Sequence, residues 1–171
     1  THGKYTKKFE DEFKKYTKSR YAVSVSSCTA GLHLSCLASG FKKGDEVIVP
    51  SKTFISTANA ALYCNAKPIF CDVDEDSFQL NPEILSKLIS KKTKAVIPVH
   101  LGGNIAPMKE IQEISQKNNL KIIEDCAHAH GSTMKGKKAG TFGDIGVFSL
   151  YPDKIMASSD GGIIVTDNSR I

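Results

Sequence analysis

From residue 21 to residue 125, short apolar runs alternate with stretches of helical spacing, and few folds accept that order. Residues 21–26 (YAVSVS), 45–50 (DEVIVP), 67–73, 95–99 and 121–124 read as strands. They are near-continuously apolar, as strands buried on both faces are. Between them, residues 30–39, 53–64, 82–90 and 107–118 read as helices. Ser27-Cys28-Thr29 opens the first and Gly40 ends it, while Asn81-Pro82 pairs a capping side chain with a proline at the first helical position. An amphipathic helix precedes them over 6–18, with Phe9, Phe13 and Tyr16 on one side, and strands follow near 145–149 and 162–166 after a Gly- and Lys-rich excursion. Strands joined through helices lie parallel, with the helices on the sheet faces. The chain is therefore expected to be α/β, a three-layer α/β/α arrangement around a mostly parallel central sheet. No internal repeat, low-complexity tract or linker divides it, and 171 residues suffice for one domain with a real core.

Ligands of such sheets sit at the carboxyl ends of the strands. Thr29, Phe54, His100, Asp125 and Lys154 all fall at or just past strand ends and are expected to share one crevice. Two segments stand out. Lys121-Ile122-Ile123-Glu124-Asp125 is an apolar strand that ends in an acid, and Phe148-Ser149-Leu150-Tyr151-Pro152-Asp153-Lys154 delivers an amine. An acid and an amine at neighbouring strand ends are what a pyridoxal phosphate enzyme needs. The amine condenses with the aldehyde, and the acid keeps the pyridine nitrogen protonated so that the ring accepts electrons. Singly, each residue has a plainer reading. Asp125 could cap a helix, Lys154 could be a surface lysine and Phe54 a core residue. Ser26-Ser27-Cys28-Thr29-Ala30-Gly31, at a strand-to-helix junction, is as readily an ordinary serine cap as a phosphate site. His128 and His130 have no third ligand at zinc spacing, which favours core or cofactor-contacting histidines.

Lys plus Arg number 23 against 18 Asp plus Glu, a net charge of +5. That excess suits an anionic ligand, though a solvated Lys-rich surface is the plainer account. The basic residues are dispersed and not interleaved with aromatics, so no nucleic-acid partner is expected. Five cysteines, odd in number and without a C-x-x-C pair, lie mostly in apolar runs and point to a reducing, cytoplasmic compartment. No apolar run approaches membrane-spanning length and no signal-peptide pattern opens the chain, so no membrane partner is expected. The chain starts without Met and stops soon after an apparent strand, and is expected to be a piece of a longer protein.

The order of these motifs resembles that of the DegT/StrS-type family of pyridoxal phosphate-dependent sugar aminotransferases. The resemblance covers essentially the whole chain. It takes in Thr1-His2-Gly3, Phe9-Glu10-Asp11-Glu12-Phe13, residues 21–27 and 44–50, Thr53-Phe54 with Thr57-Ala58-Asn59-Ala60, and Lys67-Pro68-Ile69-Phe70. It continues through Ile97-Pro98-Val99-His100-Leu101, residues 124–131, Gly143-Asp144, residues 148–154 and Asp160-Gly161-Gly162. The resemblance implies the aspartate-aminotransferase fold (fold type I), with residues 1–171 a partial large domain and the small C-terminal domain absent. It further implies that Lys154 is the Schiff-base lysine and Asp125 the partner of the pyridine nitrogen. His128 would lie beside the ring and Phe54 would stack on its face. Cys28, Thr29 and Ser149 would bind the phosphate. The implied reaction moves an amino group from an amino acid, glutamate, to a keto sugar of a nucleotide-linked sugar, through pyridoxamine phosphate. The implied assembly is a homodimer.

Two departures from the family pattern bear on the site. The usual Ser-Gly-Thr is Ser27-Cys28-Thr29, which adds a side chain where glycine allows close backbone approach. The usual Thr-Lys is Asp153-Lys154, a carboxylate beside the amine, and neighbours on an extended chain face apart. Two rival readings stand beside the aminotransferase. One is a sugar dehydratase of the same family, in which His replaces the lysine, against which Lys154 argues. The other is a non-catalytic binding or scaffold protein, or an inactive truncated copy, on the same fold.

Overall fold

A computed structural model describes residues 3–171. Of the opening Thr1-His2-Gly3 motif, Thr1 and His2 lie outside the described residues. Among the described residues the α-helices are α1 (Lys4–Thr17), α2 (Cys28–Ala38), α3 (Ser56–Tyr63), α4 (Pro82–Leu88) and α5 (Met108–Lys117). Seven strands form one sheet: β1 (Tyr21–Val25), β2 (Glu46–Pro50), β3 (Lys67–Cys71), β4 (Thr93–Val96), β5 (Lys121–Asp125), β8 (Ile145–Ser149) and β9 (Gly162–Thr166). A two-stranded hairpin, β6 (Thr133–Met134) with β7 (Lys137–Lys138), occupies the Gly- and Lys-rich stretch.

The sheet order is β1-β9-β8-β5-β4-β2-β3. Neighbours from β8 through β3 pair in parallel, while β9 runs antiparallel to both β1 and β8. The sheet is thus mostly parallel with one reversed strand. Because β8 and β9 are adjacent and opposed, the chain between them, residues 150–161, turns back at the carboxyl edge of β8. That turn is where Lys154 lies. β5 and β8 pair with Asp125 opposite Val147, so their carboxyl ends lie side by side.

The central strands β2, β5, β8 and β9 bury apolar residues on both faces, while the edge strands β1 and β3 leave Tyr21, Val23 and Phe70 exposed. On one face α2 and α3 pack Leu32, Cys36, Ala58 and Ala61 on Val47, Val49, Ile123 and Val147. On the other, α4 and α5 pack Leu85, Met108 and Ile111 on Ile48, Val96 and Ile122. Phe13 of α1 joins Phe148 and Ile163 on that same side, its ring edge-on to Phe148 at 5.1 Å. The three layers follow from these two apolar faces. Among the described residues no helix is long and apolar enough to cross a membrane.

Candidate functional site

The carboxyl edge of β5 and β8, the N-terminus of α2 and the loop before α3 enclose a cleft of about 790 Å³. Cys28, Thr29, Phe54, Asp125, His128, Ser149 and Lys154 all line it. The sequence-predicted residues are therefore together in space. His100 is the exception and is treated below.

One end of the cleft is the start of α2. Ser27 caps the helix in extended conformation, its Oγ accepting from the Ala30 N–H at 3.1 Å and its carbonyl from Gly31 N–H at 2.9 Å. The Cys28 and Thr29 N–H groups have no intrahelical acceptor, and the helix dipole adds partial positive charge beside them. The start of β9 is pressed against this turn. A Cβ on Gly162 would stand 2.7 Å from Cys28 N, so only glycine fits there. Cys28 is helical and needs no glycine conformation. Its thiol turns inward, Sγ lying 4.0 Å from Asp125 Oδ1 and 3.9 Å from the Val147 carbonyl. The departure from Ser-Gly-Thr thus adds a buried side chain beneath the helix while both N–H groups stay in place. Burial, with the Asp125 charge adding to it, pushes the Cys28 thiol well above its ordinary pKa.

Asp125, at the end of β5, forms the floor and is buried. Oδ2 accepts from Thr57 Oγ1 at 2.8 Å and Oδ1 from the Ala127 N–H at 3.1 Å. Burial pushes the carboxyl above the ordinary aspartate range. The Ala127 N–H, the Thr57 hydroxyl and the nearby His100 and His128 act in the opposite direction.

Lys154 stands opposite. β8 ends at Ser149, so the amine comes from a turn beyond the strand, with the Lys154 N–H donating to the Tyr151 carbonyl at 2.9 Å. Nζ lies 3.3 Å from His128 Nε2 and 3.0 Å from Asp153 Oδ1. The expectation that Asp153 and Lys154 face apart is corrected here. It assumed an extended chain, and the turn brings both side chains to one side. The Lys154 side chain is 17% exposed and that of Asp153 64%. His128 Nδ1 accepts from the Gly102 N–H at 3.3 Å. Ser149 is buried, and its Oγ accepts from the Tyr151 N–H at 3.3 Å. Phe54, 72% exposed, stands at the mouth.

His100 does not enter the crevice. It is fully buried, and its Nδ1 accepts from the Ala106 N–H at 3.2 Å, which places the ring proton on Nε2, 2.8 Å from Glu124 Oε2. Glu124 points away from the cleft because successive side chains of a strand alternate in direction. Its carboxylate also accepts from Gly140 N–H at 2.8 Å and Gly143 N–H at 2.6 Å. His100, Glu124 and Cys126 lie within metal-ligand distance of one another. Their polar atoms are spent on these protein partners, and the group pins the 140–143 loop to the sheet. His130 packs on the Phe148 ring at 5.3 Å, and burial lowers its pKa. Thr57 and Glu124 carried no role in the sequence reading. Glu124 left a signal, a charge inside a buried apolar strand, whereas the role of Thr57 depends on a contact 68 residues away.

The DegT/DnrJ/EryC1/StrS aminotransferase family matches the chain over residues 1–171. An uncharacterized Methanocaldococcus jannaschii protein, MJ1066, is 45% identical over 171 residues, covering all of this chain and 44% of that protein. The GDP-perosamine synthase of Escherichia coli O157:H7 is 44% identical over 169 residues, covering 99% of this chain and 46% of that protein. The chain spans less than half the length of these curated relatives. The PLP-form structure of Spr1654 from Streptococcus pneumoniae superposes with a TM-score of 0.96 at 30% identity, over 100% of this chain and 48% of that one.

Proposed function

The chain belongs to the DegT/DnrJ/EryC1/StrS aminotransferase family, and from that premise we propose that the protein is a pyridoxal phosphate-dependent aminotransferase that passes an amino group from glutamate to the keto sugar of a nucleotide-linked sugar. The observation that carries this reading is the single cleft in which a buried acid, an amine and an open helix N-terminus face one another. These donors fit the cofactor. The Cys28 and Thr29 N–H groups, the Thr29 hydroxyl and Ser149 would hold the phosphate, with the Gly162 contact keeping the helix start against the cleft. Asp125 would hold the ring nitrogen, while Phe54 and His128 would flank the ring. The relatives that support the substrate class include the GDP-perosamine synthases of several bacteria.

When bound, pyridoxal phosphate supplies an aldehyde that takes up the amino group and a ring that accepts electron density from the substrate Cα. The chain supplies the rest. The Lys154 amine would hold the cofactor and, once freed by the amino-acid donor, would carry the proton from the substrate Cα to the cofactor carbon that bore the aldehyde. Asp125 keeps the ring nitrogen charged from a buried position, where the pairing of opposite charges is strong. The α2 N-terminus would hold the phosphate and so help set where the ring nitrogen meets Asp125. His128, held by Gly102, keeps the Lys154 amine directed into the cleft.

Residues 1–171 are read as part of a cofactor-binding large domain. Exposed apolar side chains beside the cleft, among them Phe54, Ile55 and Ile155, support a homodimer that covers them. Five free, buried cysteines support a cytoplasmic enzyme. Lys154 opposes the dehydratase alternative. The test is the visible absorbance of the full-length protein with pyridoxal phosphate. A band that shifts to the pyridoxamine phosphate form on adding glutamate, and is absent in Lys154→Ala, is expected. A folded full-length protein with no such band would refute the reading.

A further inference from the structure

Thr57 stands in the first turn of α3 and is fully buried. A threonine so placed ordinarily spends its hydroxyl on nearby backbone, as a cap or a bond to a preceding carbonyl. Here the hydroxyl donates to Asp125 Oδ2 at 2.8 Å, across 68 residues of sequence. A hydroxyl has one proton, so the Thr57 oxygen is left to accept. Its partner is Thr53 Oγ1, also at 2.8 Å. The direction of the chain of hydrogen bonds is thereby fixed, from Thr53 to Thr57 to Asp125. Thr53 lies in the loop immediately before Phe54, at the mouth of the same cleft.

We propose that Thr57 is a positioning residue for the amino transfer, holding the Asp125 carboxylate in one orientation toward the cofactor ring, and that Thr53 acts through Thr57 to orient its hydroxyl. The proposal rests on the aminotransferase reading of the cleft. Asp125 has two contacts that fix its plane, the Ala127 N–H on Oδ1 and the Thr57 hydroxyl on Oδ2. Loss of the second frees the carboxyl to rotate and leaves a buried oxygen without a donor. It also removes one of the few groups that favour the charged form of a buried acid. The other titratable groups near Asp125 are His100 and His128, which act to lower its pKa, and the Cys28 and Cys126 thiols. None of these reaches Oδ2 among the hydrogen bonds of the described residues.

The experiment compares Thr57→Val, Thr57→Ser, Thr53→Val and the Thr53→Val/Thr57→Val double variant in the full-length protein, with two readouts. The first needs no cofactor. The Asp125 carboxyl carbon is titrated by NMR in carboxyl-labelled protein, its signal assigned with Asp125→Asn. Thr57→Val should raise the midpoint and Thr57→Ser should restore it. Thr53→Val should raise it less, and should add nothing in the Thr57→Val background. The second readout is the dissociation constant for pyridoxal phosphate. Thr57→Val should weaken binding by about tenfold to a hundredfold, as expected for a lost charge-assisted hydrogen bond, and Thr57→Ser should recover most of it. An Asp125 midpoint unmoved in Thr57→Val overturns the proposal. So do additive effects of the two valine substitutions, which would show that Thr53 acts independently. Wild-type protein that takes up no cofactor refutes the aminotransferase reading instead, and the titration still decides whether Thr53 and Thr57 set the charge of Asp125.

Discussion

Replacing Glu124 by Gln exchanges one oxygen for an NH₂ group in a fully buried site, and the bonding pattern sets the penalty. Oε2 accepts from Gly140 N–H and from His100 Nε2, and Oε1 accepts from Gly143 N–H. The His100 ring cannot change tautomer without losing its bond from Ala106 N–H. A glutamine has one oxygen to offer. Its better orientation keeps that oxygen toward Gly140 and His100 and sets its NH₂ against the Gly143 N–H. The Gly143 N–H and the new NH₂ are then both donors without an acceptor, at about 1–3 kcal/mol each, and two charge-assisted bonds fall to neutral ones, at about 1 kcal/mol each. Relief from burying a carboxylate offsets much of this, leaving a net loss of about 3 kcal/mol. Urea unfolding at unchanged m-value measures it. Amide exchange localises it: the Gly143 N–H should exchange about a hundredfold faster, the equivalent of about 3 kcal/mol. A loss below about 1 kcal/mol, with Gly143 protection unchanged, would refute the claim that this carboxylate pins the loop.

Three further outcomes are expected. Gly146→Ala should cost several kcal/mol or prevent soluble expression, because its Cβ would lie 2.4 Å from Gly140 Cα, a backbone atom that cannot turn aside; an unfolding midpoint near that of the parent would contradict the packing. Cys28→Gly should leave pyridoxal phosphate affinity within about threefold, since both N–H groups remain, while lowering stability by about 1–2 kcal/mol from lost burial and a helical glycine; a large affinity change measured by cofactor titration would give the thiol a direct binding role. Burial holds Asp125 above the ordinary aspartate value of 3.8. Between 3.8 and its folded value, the native chain keeps a proton that the unfolded chain has lost, so stability falls as pH rises through that window. Cofactor-free Asp125→Asn should lose that fall and be the more stable protein at neutral pH, and an unaltered pH profile of thermal unfolding would refute this.

The alternation of strands and helices was legible because buried parallel strands are apolar on both faces and their connections carry local signals. Asn81 shows this directly, its Oδ1 accepting from the Glu83 and Ile84 N–H groups at 2.9 and 3.3 Å, with Pro82 opening α4. Where the signal is not local, the reading slips. Helix α3 begins at Ser56, three residues after the predicted start, because Thr53 spends its hydroxyl on Thr57 and no side chain caps the turn. The two-residue strands of the 133–138 hairpin are too short to show a period of two. The clustering of Asp125, Lys154, Phe54 and the α2 N-terminus was legible because a parallel sheet gathers its strand ends at one edge. The pairing of Lys154 with Asp153 and the interior place of His100 were not, since each depends on how a turn or a strand end rotates a side chain.

Glu124 and Asp125 show how far one strand period separates scaffold from chemistry. Both are buried acids, consecutive in β5, and alternation sends them to opposite faces. Glu124 meets three donors from the protein and has no open side. Asp125 meets two strong donors and lies at the wall of the cleft. A carboxylate offers about four lone-pair sites, and those Asp125 leaves open can be reached from the cleft, whereas Glu124 is enclosed by protein. Only Asp125 can therefore gain from a cationic partner arriving in the cleft. Substitutions at the two positions should separate accordingly. At Glu124 the loss should be read in unfolding and loop exchange with cofactor affinity little changed. At Asp125 the cofactor-free fold should tolerate an amide while cofactor binding and turnover fall. The burial of two adjacent acids is costly in the same way, and it is the side of the sheet on which each is held, protein interior or cleft, that assigns one to the fold and the other to the reaction.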